Sequence, residues 1–139
     1  MKKYFLLLIA LPMFLGCSTN NFNNNNPYLP NYNFTVDLNM NLPSYSNLKY
    51  VSNAVYYAGQ GAGKGIYVFN TGSGYNAFDA ACPNQALQSC TTMTIKGINL
   101  VCPCDSAEYS LFTGLSPGKK YPLKQYRVEV NGDMLRIYN

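Results

Sequence analysis

Cysteine is the residue type in this chain whose chemistry and spacing suggest a site. Thiols pair as disulfides, exchange with other disulfides, or bind metal ions. The segment Cys102-Pro103-Cys104 has a single residue between its cysteines, fewer than the roughly two to four of most zinc sites. No helix N-terminus is predicted there to stabilise a thiolate. A four-cysteine zinc site and catalytic thiol exchange are therefore the weaker alternatives. The five cysteines are Cys17, Cys82, Cys90, Cys102 and Cys104.

Histidine is absent from all 139 residues. Its absence excludes Ser-His-Asp catalysis, histidine-ligated zinc and a pH switch centred on imidazole. The composition is 47% hydrophobic and only 12% charged, so the chain can bury a core and is not disordered as a whole. Its length fits one domain.

The N-terminus has the pattern of a bacterial export signal. Lys2 and Lys3 precede an apolar run from Tyr4 to Leu15, which falls short of the roughly 20 residues that cross a bilayer. The segment Phe14-Leu15-Gly16-Cys17 resembles the lipobox of bacterial lipoproteins, although the family more often has leucine at the position of Phe14. This resemblance implies that residues 1–16 are a signal peptide and that Cys17 becomes a lipidated N-terminus. Plain secretion is the alternative.

A lipid on Cys17 implies a domain anchored to a membrane of the bacterial cell envelope, exported to the periplasm or to the surface. Residues 17–33 include Asn23 to Asn26 in succession, and so polar a stretch is predicted to be a tether that does not order itself. The folded domain is then residues 34–139. Loss of residues 1–16 leaves eight basic and six acidic residues, a net charge of +2. With no basic run longer than Lys119-Lys120, nucleic acid is excluded as a partner.

Strand patterns dominate the remaining chain and predict an all-β fold. Apolar and polar residues alternate from Phe34 to Leu42, as in a half-buried strand. Three β-hairpins are predicted, each formed by two strands on either side of a glycine-containing turn. They pair residues 65–70 with 75–79, 91–95 with 98–101, and 126–130 with 134–138.

Two cysteine boxes resemble the cluster-binding boxes of Rieske iron–sulfur proteins. Cys82-Pro83-Asn84 is followed by seventeen residues and then by Cys102-Pro103-Cys104-Asp105, where the family has Cys-x-His and Cys-x-x-His. The likeness extends over residues 48–138, and includes Tyr121-Pro122-Leu123 after the second box. It implies a Rieske-like antiparallel β-sandwich in which two cysteine-containing loops lie against each other.

The chain departs from this family at the ligands. A Rieske centre binds one iron through two cysteines and the other through two histidines, whereas Asn84 and Asp105 occupy the histidine positions here. A carboxamide is a poor iron ligand, and a carboxylate would shift the potential downward. We therefore favour no cofactor and no metal. The alternative is an atypical [2Fe–2S] cluster held by Cys82, Cys102, Asp105 and one further cysteine.

The resemblance also implies a disulfide pairing. High-potential members of the family carry an extra cysteine in each box, and these two cysteines form a bridge between the loops. Cys104 fits the second of these positions, and Cys90 fits the first more loosely, so a Cys90–Cys104 bridge is expected. Without a cluster, Cys82 and Cys102 would form a second bridge. By composition alone, four cysteines allow three pairings.

Two functions follow as hypotheses. The first is a non-enzymatic, membrane-anchored accessory or interaction module that has lost its cluster and contacts an unidentified protein partner. The second is electron transfer through the atypical [2Fe–2S] cluster, which would make the chain a redox carrier. Asp79 and Glu108 flank the two cysteine loops, and they are expected to be solvated loop charges because nothing in the sequence brings them together.

Overall fold

The structure, a computed structural model, describes residues 24–139. The predicted signal peptide, Cys17 and the first part of the predicted tether lie outside the described residues. Within residues 24–139, no helix is long and apolar enough to cross a membrane.

The described chain forms two antiparallel sheets, as the alternation and the turns predict. One sheet has six strands in the order β1-β9-β8-β4-β3-β2, and the other has three in the order β5-β6-β7. The only helices between residues 24 and 139 are two short 3-10 turns, Ser46–Lys49 and Ser89–Thr91. The strands are β1 Thr35–Asn39, β2 Ala54–Tyr57, β3 Ile66–Asn70, β4 Tyr75–Asp79, β5 Thr94–Lys96, β6 Asn99–Val101, β7 Glu108–Ser110, β8 Gln125–Asn131 and β9 Met134–Tyr138.

All three predicted hairpins are confirmed. Strands β3 and β4 pair from Ile66 opposite Asp79 to Asn70 opposite Tyr75. The hairpins β5–β6 and β8–β9 each close through two residues, and the first residue of each turn is a glycine with positive φ, Gly97 or Gly132. Local turn chemistry therefore determines these pairings.

Strand β1 is shorter than the alternation predicts. It ends at Asn39, whose side-chain oxygen accepts a hydrogen bond from the backbone N–H of Asn41 and so starts a turn. Leu42, predicted as the last inward residue of the strand, is half exposed in consequence.

Strand β3 separates two apolar cores and is buried along its whole length. Successive side chains of a strand point to opposite faces of its sheet. Tyr67 and Phe69 pack with the three-stranded sheet and the cysteine loops, whereas Ile66 and Val68 pack with β1 and β9. The cysteine loops therefore pack against an apolar core to which side chains of the six-stranded sheet also contribute.

Residues 24–33, which the sequence assigns to the tether, lie against the domain. We call residues 24–31 the N-terminal arm. The side-chain amide of Asn24 donates to the carbonyl of Gln125 and accepts from its N–H, as a paired strand residue would. Leu29 is 3% exposed and packs with Ala62 and Ala81. The expectation that these residues do not order is therefore wrong. Asparagine side chains supply hydrogen bonds that composition does not reveal, and one leucine supplies the apolar contact.

The substitution Leu29→Ala tests the docking of the arm. We expect it to lower the free energy of unfolding by about 2 kcal/mol, because a buried leucine loses its contacts, and to make the arm more sensitive to limited proteolysis. The control is Tyr32→Ala, whose side chain is 60% exposed and should cost less than about 0.5 kcal/mol. Equal unfolding curves and equal cleavage of the two variants would show that the arm is not anchored by Leu29.

Candidate functional site

Two loops form the site, of which the first connects the two sheets and the second lies within the three-stranded sheet. The first loop follows β4 and precedes β5, and it is closed at its base by hydrogen bonds from Cys82 N–H to the Thr91 carbonyl and from Met93 N–H to the Ala80 carbonyl. The second loop joins β6 to β7 and is closed by a hydrogen bond from Cys102 N–H to the Ala107 carbonyl. Each cysteine box therefore begins at the base of a loop, where two hydrogen-bonded segments of the chain separate.

The four cysteines of the loops lie in two pairs at disulfide distance. The Sγ atoms of Cys82 and Cys102 are 2.08 Å apart, with Cα atoms 5.6 Å apart. Those of Cys90 and Cys104 are 2.12 Å apart, with Cα atoms 5.2 Å apart. Both Cα separations are within the range that a disulfide spans. These are the pairs that the resemblance implied.

The two pairs differ in burial. We call Cys82–Cys102 the inner disulfide, since its residues are 1% and 0% exposed and belong to the apolar core. We call Cys90–Cys104 the outer disulfide, since both of its cysteines are only partly buried. The two disulfides are close neighbours, because the Sγ atoms of Cys82, Cys102 and Cys104 all lie within 4.8 Å of one another.

Two glutamines of the first loop contact the sulfur atoms. The side-chain amide of Gln85 donates to Cys102 Sγ at 3.4 Å, and that of Gln88 donates to Cys104 Sγ at 3.8 Å. Each disulfide therefore has one sulfur that accepts a hydrogen bond from a glutamine. Neither glutamine could be predicted from the sequence, because glutamine in a loop carries no pattern that points to sulfur.

Asn84, at the first position where the Rieske pattern has histidine, is fully engaged with the protein. Its Oδ1 accepts from the N–H of Tyr121 at 2.9 Å. Its Nδ2 donates to the Tyr121 carbonyl at 2.8 Å and to the hydroxyl of the fully buried Tyr109 at 2.9 Å. Both polar atoms of this amide are therefore satisfied within the protein.

Asp105, at the second such position, forms an ion pair. Its Oδ2 is 2.5 Å from Lys119 Nζ, and its Oδ1 accepts from the N–H of Ala107 at 3.1 Å. Partial burial acts to raise the pKa of Asp105, but the Lys119 ammonium and the Ala107 N–H outweigh it and hold the pKa below its usual value. The carboxylate is thus kept ionised and already has a cationic partner.

A third segment, residues 119–122, lies across both loops. Lys119 reaches Asp105 and the backbone of Tyr121 reaches Asn84, so the two positions that depart from the Rieske pattern bind one and the same segment. We call residues 119–122 the closing segment. The sequence identified Asn84 and Asp105 but not their partners, which are 37 and 14 residues away along the chain.

Asp79 is buried, contrary to the expectation that it is solvated. Its carboxylate accepts hydrogen bonds from the N–H groups of Ala62 and Ala81 and from the Tyr126 hydroxyl. Burial raises the pKa of Asp79 above the usual aspartate value, and these donors offset the effect only in part. A buried carboxylate is tolerated because each oxygen has partners. The hydrogen bonds of the Asp79 carboxylate join the glycine-rich loop at residues 59–65 to β4 and β8.

Glu108 has separate partners at the surface. Its carboxylate is 2.6 Å from Lys96 Nζ and accepts a longer hydrogen bond from Asn99. The Lys96 ammonium, with the Asn99 amide, lowers the pKa of Glu108. Asp79 and Glu108 are therefore not a catalytic pair of carboxylates.

Comparison with known proteins gives a match in structure but not in sequence. No family model matches the chain, and no curated protein matches it. The complex of reduced oxygenase and oxidized ferredoxin in carbazole 1,9a-dioxygenase gives a TM-score of 0.50 at 16% identity, covering 76% of this chain and 92% of that chain. A carbazole-bound oxygenase and ferredoxin complex of the same system also gives 0.50, at 13% identity, covering 79% of this chain and 29% of that chain.

The cyanobacterial plasma membrane Rieske protein from Synechocystis PCC 6803 is a further structural match, at 25% identity and a TM-score of 0.43, covering 52% of this chain and 75% of that chain. Together with the antiparallel sheets and the two cysteine loops, the two matches at a TM-score of 0.50 show that the chain has a Rieske-like fold. At these identities they show the fold and not the chemistry.

Proposed function

We propose that this chain is a lipid-anchored protein of the bacterial envelope whose Rieske-like domain has replaced its cluster by two disulfides. It acts as a non-enzymatic accessory or interaction module that contacts a protein partner. The observation that carries the proposal is the engagement of all four ligand positions. Cys82 and Cys102 bind each other, and Asn84 and Asp105 bind the closing segment.

The donor set does not fit a Rieske centre. Such a centre needs two thiolates on one iron and two imidazoles on the other. Here the two sulfurs form a disulfide, and the position of one imidazole holds a carboxamide whose oxygen and nitrogen are both hydrogen-bonded to Tyr121. Freeing Asn84 for iron would take a partner from the half-buried Tyr121 N–H and from the fully buried Tyr109 hydroxyl, and the loss at the buried hydroxyl alone costs about 1–3 kcal/mol.

Electron transfer remains the second candidate function. Three sulfur atoms lie within 4.8 Å of one another, and soft thiolates are the ligands of iron–sulfur clusters. In that case Cys82, Cys102, Asp105 and one of the outer cysteines would hold the cluster. This alternative requires both disulfides to open and Asp105 to leave Lys119, so the arrangement of the site favours the first candidate.

The lipid anchor is proposed on the likeness of residues 14–17 to a lipobox. Because the N-terminal arm is docked on the domain, it limits the distance between the domain and a lipid on Cys17. From Cys17 to Asn24 the chain has seven residues, which span at most about 25 Å when fully extended. A lipid on Cys17 would therefore hold the domain close to the membrane surface, and a protein partner would be a neighbour in or on that membrane.

The test is native mass spectrometry of the full chain, expressed in bacteria with its own export signal and purified in detergent. We expect a mature chain that begins at Cys17, carries acyl groups, has lost the four hydrogens of two disulfides and contains no iron or sulfide. A Rieske ferredoxin taken through the same purification shows that a cluster survives the procedure. Two irons and two sulfides per chain, lost on denaturation, would replace the first candidate by the second.

Cys17→Ser is the matched control for the anchor. The acyl mass should be lost, while the disulfides remain. An acyl mass on Cys17→Ser equal to that on the native chain would contradict lipid attachment at Cys17 without affecting the result on the cluster.

A further inference from the structure

The two disulfides are arranged so that one can react with the other. Cys104 belongs to the outer disulfide, yet its Sγ lies within 4.8 Å of both sulfurs of the inner disulfide. Cys90 is not a member of this close group of sulfurs. If the outer disulfide opens, a resident thiol is therefore placed next to a bond that is 0–1% exposed and shielded from reagents in solution.

The glutamines give this arrangement a direction. A thiolate is the leaving group of thiol–disulfide exchange, and groups that stabilise it accelerate its departure. Gln88 donates to Cys104 Sγ and Gln85 donates to Cys102 Sγ, so these two sulfurs are the favoured leaving groups. Cys90 and Cys82, for which no such donor is found among residues 24–139, are then the sulfurs that are attacked.

We propose that the domain is a disulfide relay, in which an external dithiol reduces the outer disulfide and Cys104 passes the reduction on to the inner one. The substrate class is thus a protein or small molecule that carries a reactive dithiol. The proposal rests on one part of the proposed function, the replacement of the cluster by two disulfides, because the same sulfurs cannot be both a relay and the ligands of a cluster. It adds a redox reaction with the partner to the interaction role.

The relay balances in three steps. A thiolate of the dithiol attacks Cys90 Sγ, forms a mixed disulfide and releases Cys104 as a thiolate. Cys104 attacks Cys82 Sγ, forms a Cys82–Cys104 bond and releases Cys102 as a thiolate, with no net change in oxidation. The second thiol of the dithiol then attacks the mixed disulfide, which frees Cys90 as a thiol and leaves the dithiol oxidised. Two electrons and two protons have entered the domain, and its remaining disulfide has moved outward to Cys104.

Two variants of the full chain separate the relay from simple loosening. Cys90→Ser and Cys104→Ser remove the same outer disulfide, so they lose the same loop constraint. Only Cys90→Ser keeps the thiol that lies beside the inner disulfide. Both proteins are purified in detergent, assayed for iron and sulfide, and exposed to a small dithiol. Samples are trapped by alkylation at intervals, and their cysteine linkages are mapped by proteolysis and mass spectrometry.

We expect the inner disulfide of Cys90→Ser to be reduced at least tenfold faster than that of Cys104→Ser, with Cys82–Cys104 linked peptides in the early samples. In Cys104→Ser the dithiol must reach two buried sulfurs directly. Equal rates in the two variants, with no Cys104-linked peptides, would overturn the relay while leaving the proposed function intact. Iron and sulfide in the samples would instead overturn the proposed function.

The native chain provides the test if either variant fails to fold. Treated with less than one equivalent of dithiol, it should give a one-disulfide species linked through Cys82 and Cys104. A one-disulfide species that retains Cys82–Cys102 alone would contradict the relay.

Discussion

Replacement of Asp79 by alanine is expected to lower the free energy of unfolding by about 4 kcal/mol, because it removes a buried charged acceptor and strands its donors. The N–H groups of Ala62 and Ala81 and the Tyr126 hydroxyl all bond this carboxylate. Lys124, 2% exposed, has its pKa lowered by burial and raised again by the charge of Asp79. Without Asp79, the Lys124 ammonium loses a nearby negative charge and keeps its hydrogen bond to the Pro30 carbonyl in the N-terminal arm and its position over the Tyr126 ring.

Tyr126→Phe is the matched control, because it removes one donor and leaves the carboxylate in place. It should cost about 1–2 kcal/mol. Chemical denaturation of the two variants and the native chain gives both values. If Asp79→Ala were no more destabilised than Tyr126→Phe, the carboxylate would not be joining the glycine-rich loop to the sheet, and its burial would have a different cause.

The pH dependence of this effect has a defined sign. Burial raises the pKa of Asp79 in the folded state above its usual value of 3.8, with opposing hydrogen bonds from Tyr126, Ala81 and Ala62. The folded protein therefore holds this proton more tightly than the unfolded chain does. The stability that results is fully present below about pH 4 and is lost as the pH rises through the folded pKa. The difference in stability between the native chain and Asp79→Asn, which cannot titrate, should shrink over that rise.

The fold could be predicted where its causes are local. The β8–β9 hairpin follows from alternation on both sides of Asn131-Gly132, and β3–β4 from two aromatic runs on either side of a glycine-containing turn. The end of β1 could not be predicted, because it depends on the hydrogen bond that the Asn39 side chain accepts from the backbone N–H of Asn41. No strand was predicted at β7, whose three residues are too few to show a period.

The site was predictable in its positions but not in its contacts. The two boxes identify Cys82, Cys102, Asn84 and Asp105 because a likeness in spacing is a property of the chain alone. The closing segment is a property of the folded molecule. Lys119 and Tyr121 belong to the connection between β7 and β8, and they meet Asp105 and Asn84 only when this connection lies across the loops in the folded molecule. The burial of Asp79 escaped prediction for the same reason, since two of its donors are backbone groups.

Removal of both disulfides is expected to cost more than the sum of removing each one. Taken alone, bridges with sequence separations of 20 and 14 residues each stabilise by about 3 kcal/mol in the chain-entropy description. The two loops interleave along the chain, however. With Cys82–Cys102 closed, Cys90 is already held eight residues from Cys82, and Cys104 two residues from Cys102. Each bridge therefore restricts part of the freedom that the other would remove.

The measurement is a double-mutant cycle with alanine replacing Cys82 and Cys102, then Cys90 and Cys104, then all four. We expect each pair alone to cost about 2 kcal/mol and all four changes to cost about 5 kcal/mol. A loss of that size is comparable to the entire stability of many domains, roughly 5–15 kcal/mol, so the last variant is measured at low temperature. Strict additivity would show that the unfolded chain treats the loops as independent. An unchanged stability of all the variants would mean that the loops are held by the contacts of Asn84 and Asp105 with the closing segment, and that the disulfides serve exchange chemistry rather than stability.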